Sequence, residues 1–448
     1  MTSQTLQPGS WTPRQQVGVP ELLLPAGDPE KMRYAIAYGA DAVYLGLPVA
    51  SLRMVHSKDP FTADNLATHI DYCHQHGVKA YVTLNIFASN RDLDRLAPHA
   101  EMLAESGADA IILSDPGVFR VVRKHAPNLP IHISTQANTL NVDACAFWQD
   151  LGVPRVILAR EVPLRDMTEI AQALPDLELE CFVHGSLCVA YSGRCVISDY
   201  LTDNTKNSNK GMCGNSCRWE MEVKEVTRPD ETYTLVEDEK GSYLLNSKDL
   251  CLVRYLKELR DAGIVSFKIE GRTKGTHYVA TVGRVYREAL DRLAADDPAE
   301  DFQITAWEDE LRESGHRGFT EGFLFGKPGS QGINYVDSSS HATASFVAIT
   351  SGKRDDQGRI ELIGRNPFSL TQPLTLTTPQ GVYHETATGA WDKNGLPVSQ
   401  MHPNHHAWVA FDTASALHSL DESTLRWAMV RASLTESTEK TKATATCS

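Results

Sequence analysis

Four cysteines lie within thirty residues of one another in a chain of 448, spaced Cys188-x6-Cys195-x17-Cys213-x3-Cys217. Thiolates gathered in one loop region bind soft metals. The paired C-x2-C knuckles of zinc ribbons are absent, and the longer spacings suit an iron–sulfur cluster whose four irons each take one cysteine. Glycines stand beside these residues at Gly185, Gly193, Gly211 and Gly214, which lets backbone N–H groups approach sulfur. On spacing alone a zinc site stays open as the alternative. The remaining five cysteines, Cys73, Cys145, Cys181, Cys251 and Cys447, are scattered. A total of nine in a large chain with no export signal speaks against a disulfide framework, and most of the scattered five read as small core hydrophobes.

Other residues able to do chemistry follow a pattern that the elements around them explain. From residue 21 to about 295 the chain alternates short apolar runs with amphipathic stretches. The runs are ELLLPAG, AVYLGL, KAYVTLN, AIILSD, IHISTQ, RVILARE, LECFVHG and SFKIEGR. Each is short and rich in Val, Ile and Leu, as buried parallel strands are. Between the early ones lie helical patterns that close at glycine, and helix–Gly–Ala–Asp–strand occurs twice, at 38–46 and 106–114. Eight such units predict an α/β fold, a (β/α)8 TIM-like barrel over 20–295. Polar side chains cluster just after the runs: Asn85, Ser114, Asp115, Gln136, Arg160, Glu161, His184, Glu270 and Arg272. Active sites of such barrels sit at the strand C-termini, so these groups are expected to converge on one mouth. His184, Gln136 and Glu270 are the candidates there for orienting a substrate or moving a proton.

The seventh run is followed by an excursion over 186–245 that carries all four clustered cysteines. An insertion of that size in a compact unit usually carries function. Residues 296–340 read as a linking region. Beyond 340 the pattern becomes short alternating runs (ASFVAI, RIELIG, PLTLTT, AWVAFD) broken by DDQG and TPQG, which predicts a small β-barrel domain over 341–433. The polar tails 1–19 and 434–448 are expected to be disordered. The first twenty residues contain no apolar run, so neither a signal peptide nor a membrane anchor is expected, and the predicted location is the cytoplasm. The formal charge of −14, from 43 basic and 57 acidic side chains, argues against indiscriminate nucleic-acid coating. A local basic face near the cysteines, with Lys206, Lys210 and Arg218, is still compatible with it.

The segment ECFVHGSLCVAYSGRCVIS, Glu180 to Ser198, resembles the signature of the collagenase-like peptidase family U32 throughout its length. PAGDPEKMRYAIAYGADAVYLG and SFKIEGRTK look like its other hallmarks, so the resemblance spans the barrel. SDPG, HRGFTEGF and NPFSLTQPLTLTTPQG are similar to one branch that acts on tRNA. That resemblance implies formation of 5-hydroxyuridine at the wobble uridine, without oxygen and with prephenate as co-substrate. It also implies a 4Fe-4S cluster on Cys188, Cys195, Cys213 and Cys217, and an electron donor as a possible partner. The two carboxylates of prephenate call for bidentate arginines, for which Arg53, Arg160 and Arg272 are the candidates. Lys210 and Arg218 are expected on the RNA backbone, and Tyr191 and Trp219 beside a flipped base. The family name raises peptidase as an alternative, although the chain has no H-E-x-x-H and no G-x-S-x-G, and His184 with Cys188 is its one local thiol–histidine pair. A non-catalytic tRNA-binding partner of a hydroxylase is the third reading.

Overall fold

The computed structural model describes residues 18–48, 51, 57–202, 207–219, 237–238, 241–242, 246–297, 299–335 and 340–433. Arg53 and Lys206 lie outside them, as do the two tails apart from Gly18 and Val19. Seven parallel strands come first: β1 (Glu21–Pro25), β2 (Ala42–Gly46), β3 (Lys79–Thr83), β4 (Ala110–Leu113), β5 (Ile131–Ile133), β6 (Arg155–Ile157) and β7 (Glu178–Ser186). Helices α1 (Pro29–Ala37), α2 (Leu66–Gln75), α3 (Asn90–Glu105), α4 (Pro116–His125), α5 (Val142–Asp150) and α6 (Leu164–Ala173) alternate with them. The cysteine-bearing insert adds helix α7 (Ile197–Leu201) and the short hairpin β8 (Glu237–Asp238) and β9 (Gly241–Ser242); β10 (Asp249–Cys251) follows it and runs antiparallel to β7. After α8 (Leu256–Asp261) the eighth barrel strand, β11 (Ile264–Ile269), pairs in parallel with both β1 and β7. The sheet is thereby closed, and each of the eight apolar runs is a barrel strand.

Local chemistry explains the units. Asp28 and Asp115 each precede a proline and cap α1 and α4, their carboxylates accepting from Lys31 N and from Gly117 N and Val118 N. The repeated Gly-Ala-Asp has one job in both places. Gly39 and Gly107 take φ of 98° and 82° at the helix ends, a region that suits glycine. Two residues on, Asp41 accepts from Leu22 N at 2.9 Å and Asp109 from Ala80 N at 2.7 Å, so each carboxylate satisfies the neighbouring strand.

Barrel interiors are usually filled by branched aliphatic layers. Here the N-terminal end holds a buried ion network instead. Arg155 reaches Glu21 at 2.6 Å, Glu178 at 2.8 Å and Glu180 at 3.3 Å. Tyr81 OH and Ser266 Oγ donate to Glu21 at 2.7 and 2.9 Å, and Lys268 Nζ donates to Glu180 at 2.8 Å.

Two compact units are present, one made of residues up to Gly275, Tyr286–Thr305 and His316–Ser340, the other of Thr276–Val285, Ala306–Gly315 and residues from His341 on. Helix α9 (Thr276–Ala294) contributes residues to both, as does α10 (Asp301–Arg312). In the first unit β12 (Phe319–Thr320) lies parallel to β10. The second is antiparallel β, as the alternation predicts. It comprises β13 (Ala344–Arg354), β14 (Ile360–Gly364), β15 (Phe368–Ser369), β16 (Leu374–Thr378), β17 (Gly381–Glu385), β18 (Gly389–Trp391), β19 (Gln400–Met401), β20 (His406–Ala410) and β21 (Met429–Ser433). Seven of these form a sheet in the order β17-β16-β21-β13-β14-β20-β18, over a core that includes Val347, Leu362, Leu376, Val409 and Val430.

Candidate active site

The C-terminal ends of the barrel strands surround a pocket. Asn85, Gln136, Arg160, Glu270 and Arg272 line it, five of the polar residues expected there. Arg160 lies flat on the Phe182 ring, 4.1 Å from its centre, donates to Ser186 O at 3.0 Å and faces Glu270 at 3.3 Å. Arg272 is buried and its Nη1 donates to Ser51 Oγ at 2.8 Å and Thr83 Oγ1 at 2.9 Å. Gly46 makes that possible, because a Cβ there would stand 2.3 Å from the same Nη1. The Oε1 of Gln136 is buried and accepts no hydrogen bond among the described residues.

Lys268 is the residue that sequence reasoning passed over. Its amine rests 4.5 Å above the Tyr44 ring, is anchored by Glu180, and lines the same pocket. The signal was present in SFKIEGR. Ser266, Lys268 and Glu270 recur with period two, and in a strand that places them on one face.

Cys188, Cys195, Cys213 and Cys217 together line a second pocket, with Gln136 and Gly193 in its wall. Burial pushes the Cys217 thiol above its ordinary value, and Cys188, Cys213 and Cys195 add to the effect against the pull of Arg218, so the four sulfurs feel one another. No three His, Cys, Asp or Glu side chains among the described residues come close enough to share a single metal ion. The loops are held by polar clasps. Asn209 Nδ2 and Ser208 Oγ donate to Cys195 O at 2.8 and 2.7 Å, and Gly214 N donates to Ser198 Oγ at 2.7 Å. Ser192, between the first two cysteines, adopts φ 44° and ψ 36°, a costly conformation for serine. Glu161 maintains it by accepting from Ser192 N at 2.7 Å and from its hydroxyl.

Three expectations are corrected. His184 does not face the mouth. Between Lys268 and Ile269 the pairing of β11 skips from Phe182 to His184 on β7, and this one-residue bulge reverses the side-chain alternation. His184 is instead buried between the rings of Tyr286 and Phe319, each 5.5 Å away, and burial drives its pKa down to about 3. Arg218 does not present a free cation for phosphate. Its guanidinium donates to Asn246 Oδ1 at 2.9 Å and Leu187 O at 3.1 Å, bracing the cysteine loop against the barrel. Lys210 is half-buried and paired with Asp92, which the hydrogen bond from Lys210 holds down at about 2. Tyr191 and Trp219 are 50% and 46% exposed and line none of the pockets around Cys188. Arg218→Ala is therefore expected to loosen the cysteine loop, measured as faster hydrogen exchange over residues 207–219. Unchanged exchange in that segment would mean that the brace is dispensable.

Residues 27–334 match the profile of Peptidase family U32. This chain belongs to peptidase family U32. Relatives of the U32 chain carry names of more than one kind. The "tRNA hydroxylation protein P" of Haemophilus influenzae is 40% identical over 405 residues, 81% of this chain and 86% of that protein. The "23S rRNA 5-hydroxycytidine C2501 synthase" of Escherichia coli is 35% identical over 70% of this chain and 46% of its own length. A protein named "Collagenase" from Porphyromonas gingivalis is 31% identical over 68% of this chain and 74% of its own. No helix among the described residues of the U32 chain is long and apolar enough to cross a membrane.

Proposed function

We propose that this U32 protein is a tRNA uridine 5-hydroxylase acting at the wobble uridine, with prephenate as co-substrate, without oxygen, and with a 4Fe-4S cluster on Cys188, Cys195, Cys213 and Cys217. The observation that carries the proposal is the shared wall. Cys188, Gln136 and Gly193 line both the barrel mouth and the cysteine pocket, so a group held by the four thiolates borders the site where a substrate would sit. The donor set fits such a group. Four soft thiolates line one space. When bound, the cluster would supply one-electron transfer beside the mouth; the oxygen gained at C5 of uridine, and the two electrons removed there, are assigned in this proposal to the co-substrate.

The chain's own residues do the rest. The mouth sets three cations, Arg160, Lys268 and Arg272, against Glu270 and the neighbouring Glu180, which pair with Arg160 and Lys268; one positive charge is left over, a setting for an anionic co-substrate such as prephenate. Ser51 and Thr83 fix the plane of Arg272, and Glu180 holds the Lys268 amine in place. Gln136 offers its amide where mouth and cysteine pocket meet. Glu270, beside Arg160, is the carboxylate positioned to take up a proton. The names of the tRNA and rRNA relatives support RNA as the substrate. The peptidase alternative would call on His184 with Cys188; His184 is buried against Tyr286 and Phe319, whereas Cys188 borders the mouth. Cells lacking the gene should have tRNA without 5-hydroxyuridine derivatives, as should cells blocked in prephenate synthesis, read by mass spectrometry of nucleosides. An unchanged nucleoside profile together with a lost peptide-cleaving activity would reverse the assignment.

A further inference from the structure

A third cavity opens on the far side of the wall formed by Arg160, Cys188, Ser192 and Gly193. Cys188 and Gly193 border this cavity, the mouth and the cysteine pocket alike. Its chemistry differs from that of the mouth. The charged residues in its lining are Arg160 and Glu161, and both are already engaged, Arg160 by Glu270 and Ser186 O, Glu161 by Ser192. What remains is an apolar wall, from Leu187, Phe323 and Ile333, with the hydroxyl residues Ser247 and Thr320. Burying an ion there would be costly, whereas a flat uncharged ring with carbonyl acceptors suits it.

We propose that this cavity is the nucleobase compartment: the flipped uridine enters here while the anionic co-substrate occupies the mouth, and the two meet across Cys188. The inference rests on the RNA-hydroxylase reading above and assigns each reactant its own side. The HRGFTEGF segment builds the compartment. Arg317 donates to Asp249 and, at 3.0 Å, to Ser186 Oγ, which pins the segment beside β10. Thr320 Oγ1 accepts from Gly322 N at 3.1 Å, which directs the hydroxyl proton elsewhere, to serve as a donor for a ring carbonyl. Gly332 lets the rim close, since a Cβ at that position would stand 2.9 Å from the Pro328 side chain. An apolar pocket with few directed polar groups is how a base taken out of its stack is received.

The test uses anaerobically prepared, iron-loaded protein and an anticodon stem-loop RNA carrying 4-thiouridine at the target position. Irradiation should crosslink the base to the peptides containing Phe323 or Ile333, mapped by mass spectrometry. Phe323→Ala and Ile333→Trp, one emptying the pocket and one filling it, should each raise KM for the unmodified stem-loop by about tenfold or more, with KM for prephenate and iron content unchanged. Crosslinks to the Tyr44 or Phe182 peptides of the mouth would overturn the two-compartment proposal alone. So would variants that raise KM for prephenate and spare the RNA. Wild-type protein that neither crosslinks to nor hydroxylates this RNA overturns the hydroxylase reading, and the proposal with it.

Discussion

Serine at any one of Cys188, Cys195, Cys213 or Cys217 is expected to abolish both iron binding and RNA hydroxylation, whereas serine at Cys73 or Cys145 should leave both intact. Exchange of sulfur for oxygen alters side-chain volume little but replaces a soft thiolate with a hydroxyl that stays protonated near neutral pH. The four residues line one pocket on loops whose backbone is fastened by Asn209, Ser208 and Ser198. Cys73 and Cys145 are in a different situation. Both are fully buried in helices α2 and α5, and Cys73 Sγ lies 3.5 Å from Met32 Sδ. Burial pushes the Cys145 thiol up to about 12 and that of Cys73 further still, the signature of packing rather than ligation. Their serine variants should lose about 1–3 kcal/mol of stability through a buried hydroxyl, and nothing else. Iron and sulfide assays on anaerobically purified protein, with nucleoside analysis of treated tRNA, separate the two groups. Iron retained at full stoichiometry in any one of the first four variants would remove that cysteine from the ligand set, and stoichiometric zinc without iron in the parent protein would sink the cluster itself.

The contrast between those cysteines was readable from spacing, and so was the barrel. Each strand that the apolar runs mark is present because a parallel strand buried on both faces must be apolar along its length, which leaves a plain trace in sequence. The polar mouth was legible for a similar reason, since the residue after a strand's last apolar position is where the chain turns toward the pocket. What failed was parity. His184 follows Phe182 by two and would share its face in a regular strand, but the bulge on β7 turns it outward, and bulges have no compositional signature. Lys268 was hidden by the opposite bias. A lysine inside an apolar run reads as an edge or an end, although its partners Glu180 and Tyr44 come from strands far away in sequence. Arg218 stood next to the cysteines and read as a basic face. Its real partners, Asn246 and the Leu187 carbonyl, belong to the segments where the insert leaves and rejoins the barrel. Tertiary pairings of this kind are invisible to any local pattern.

Glu21→Ala is expected to cost about 3–5 kcal/mol of folding stability, the range found when one partner is removed from a buried ion network. Glu21 is fully buried, and it receives Arg155, Tyr81 and Ser266 at once. Burial alone would raise its pKa above the ordinary 4.5. The charges of Arg155 and Lys79, with hydrogen bonds from Arg155 and Tyr81, outweigh that and hold it lower. A carboxylate whose folded value is depressed stabilises the fold fully above its unfolded value, and that contribution is lost as pH falls through the folded value. The parent protein should therefore lose stability below about pH 4.5 partly through Glu21, and the alanine variant should lack that component of the acid limb. Lys79→Met is the internal control. Its amine is 3.7 Å from Glu21 and 28% exposed, so the loss should stay under about 1 kcal/mol. Urea unfolding of the three proteins at neutral pH and at lower pH decides the matter. Equal, small losses for both variants would mean that Arg155 is adequately balanced by Glu178 and Glu180 without Glu21. A large loss for Glu21→Ala alone would tie the barrel's closure to its ions, because Glu21 on β1, Tyr81 on β3, Arg155 on β6 and Ser266 on β11 bridge strands that share no ladder except at the β1–β11 seam. The same network reaches the mouth through Glu180 and Lys268, so the variant should also weaken prephenate binding, whereas Lys79→Met should not.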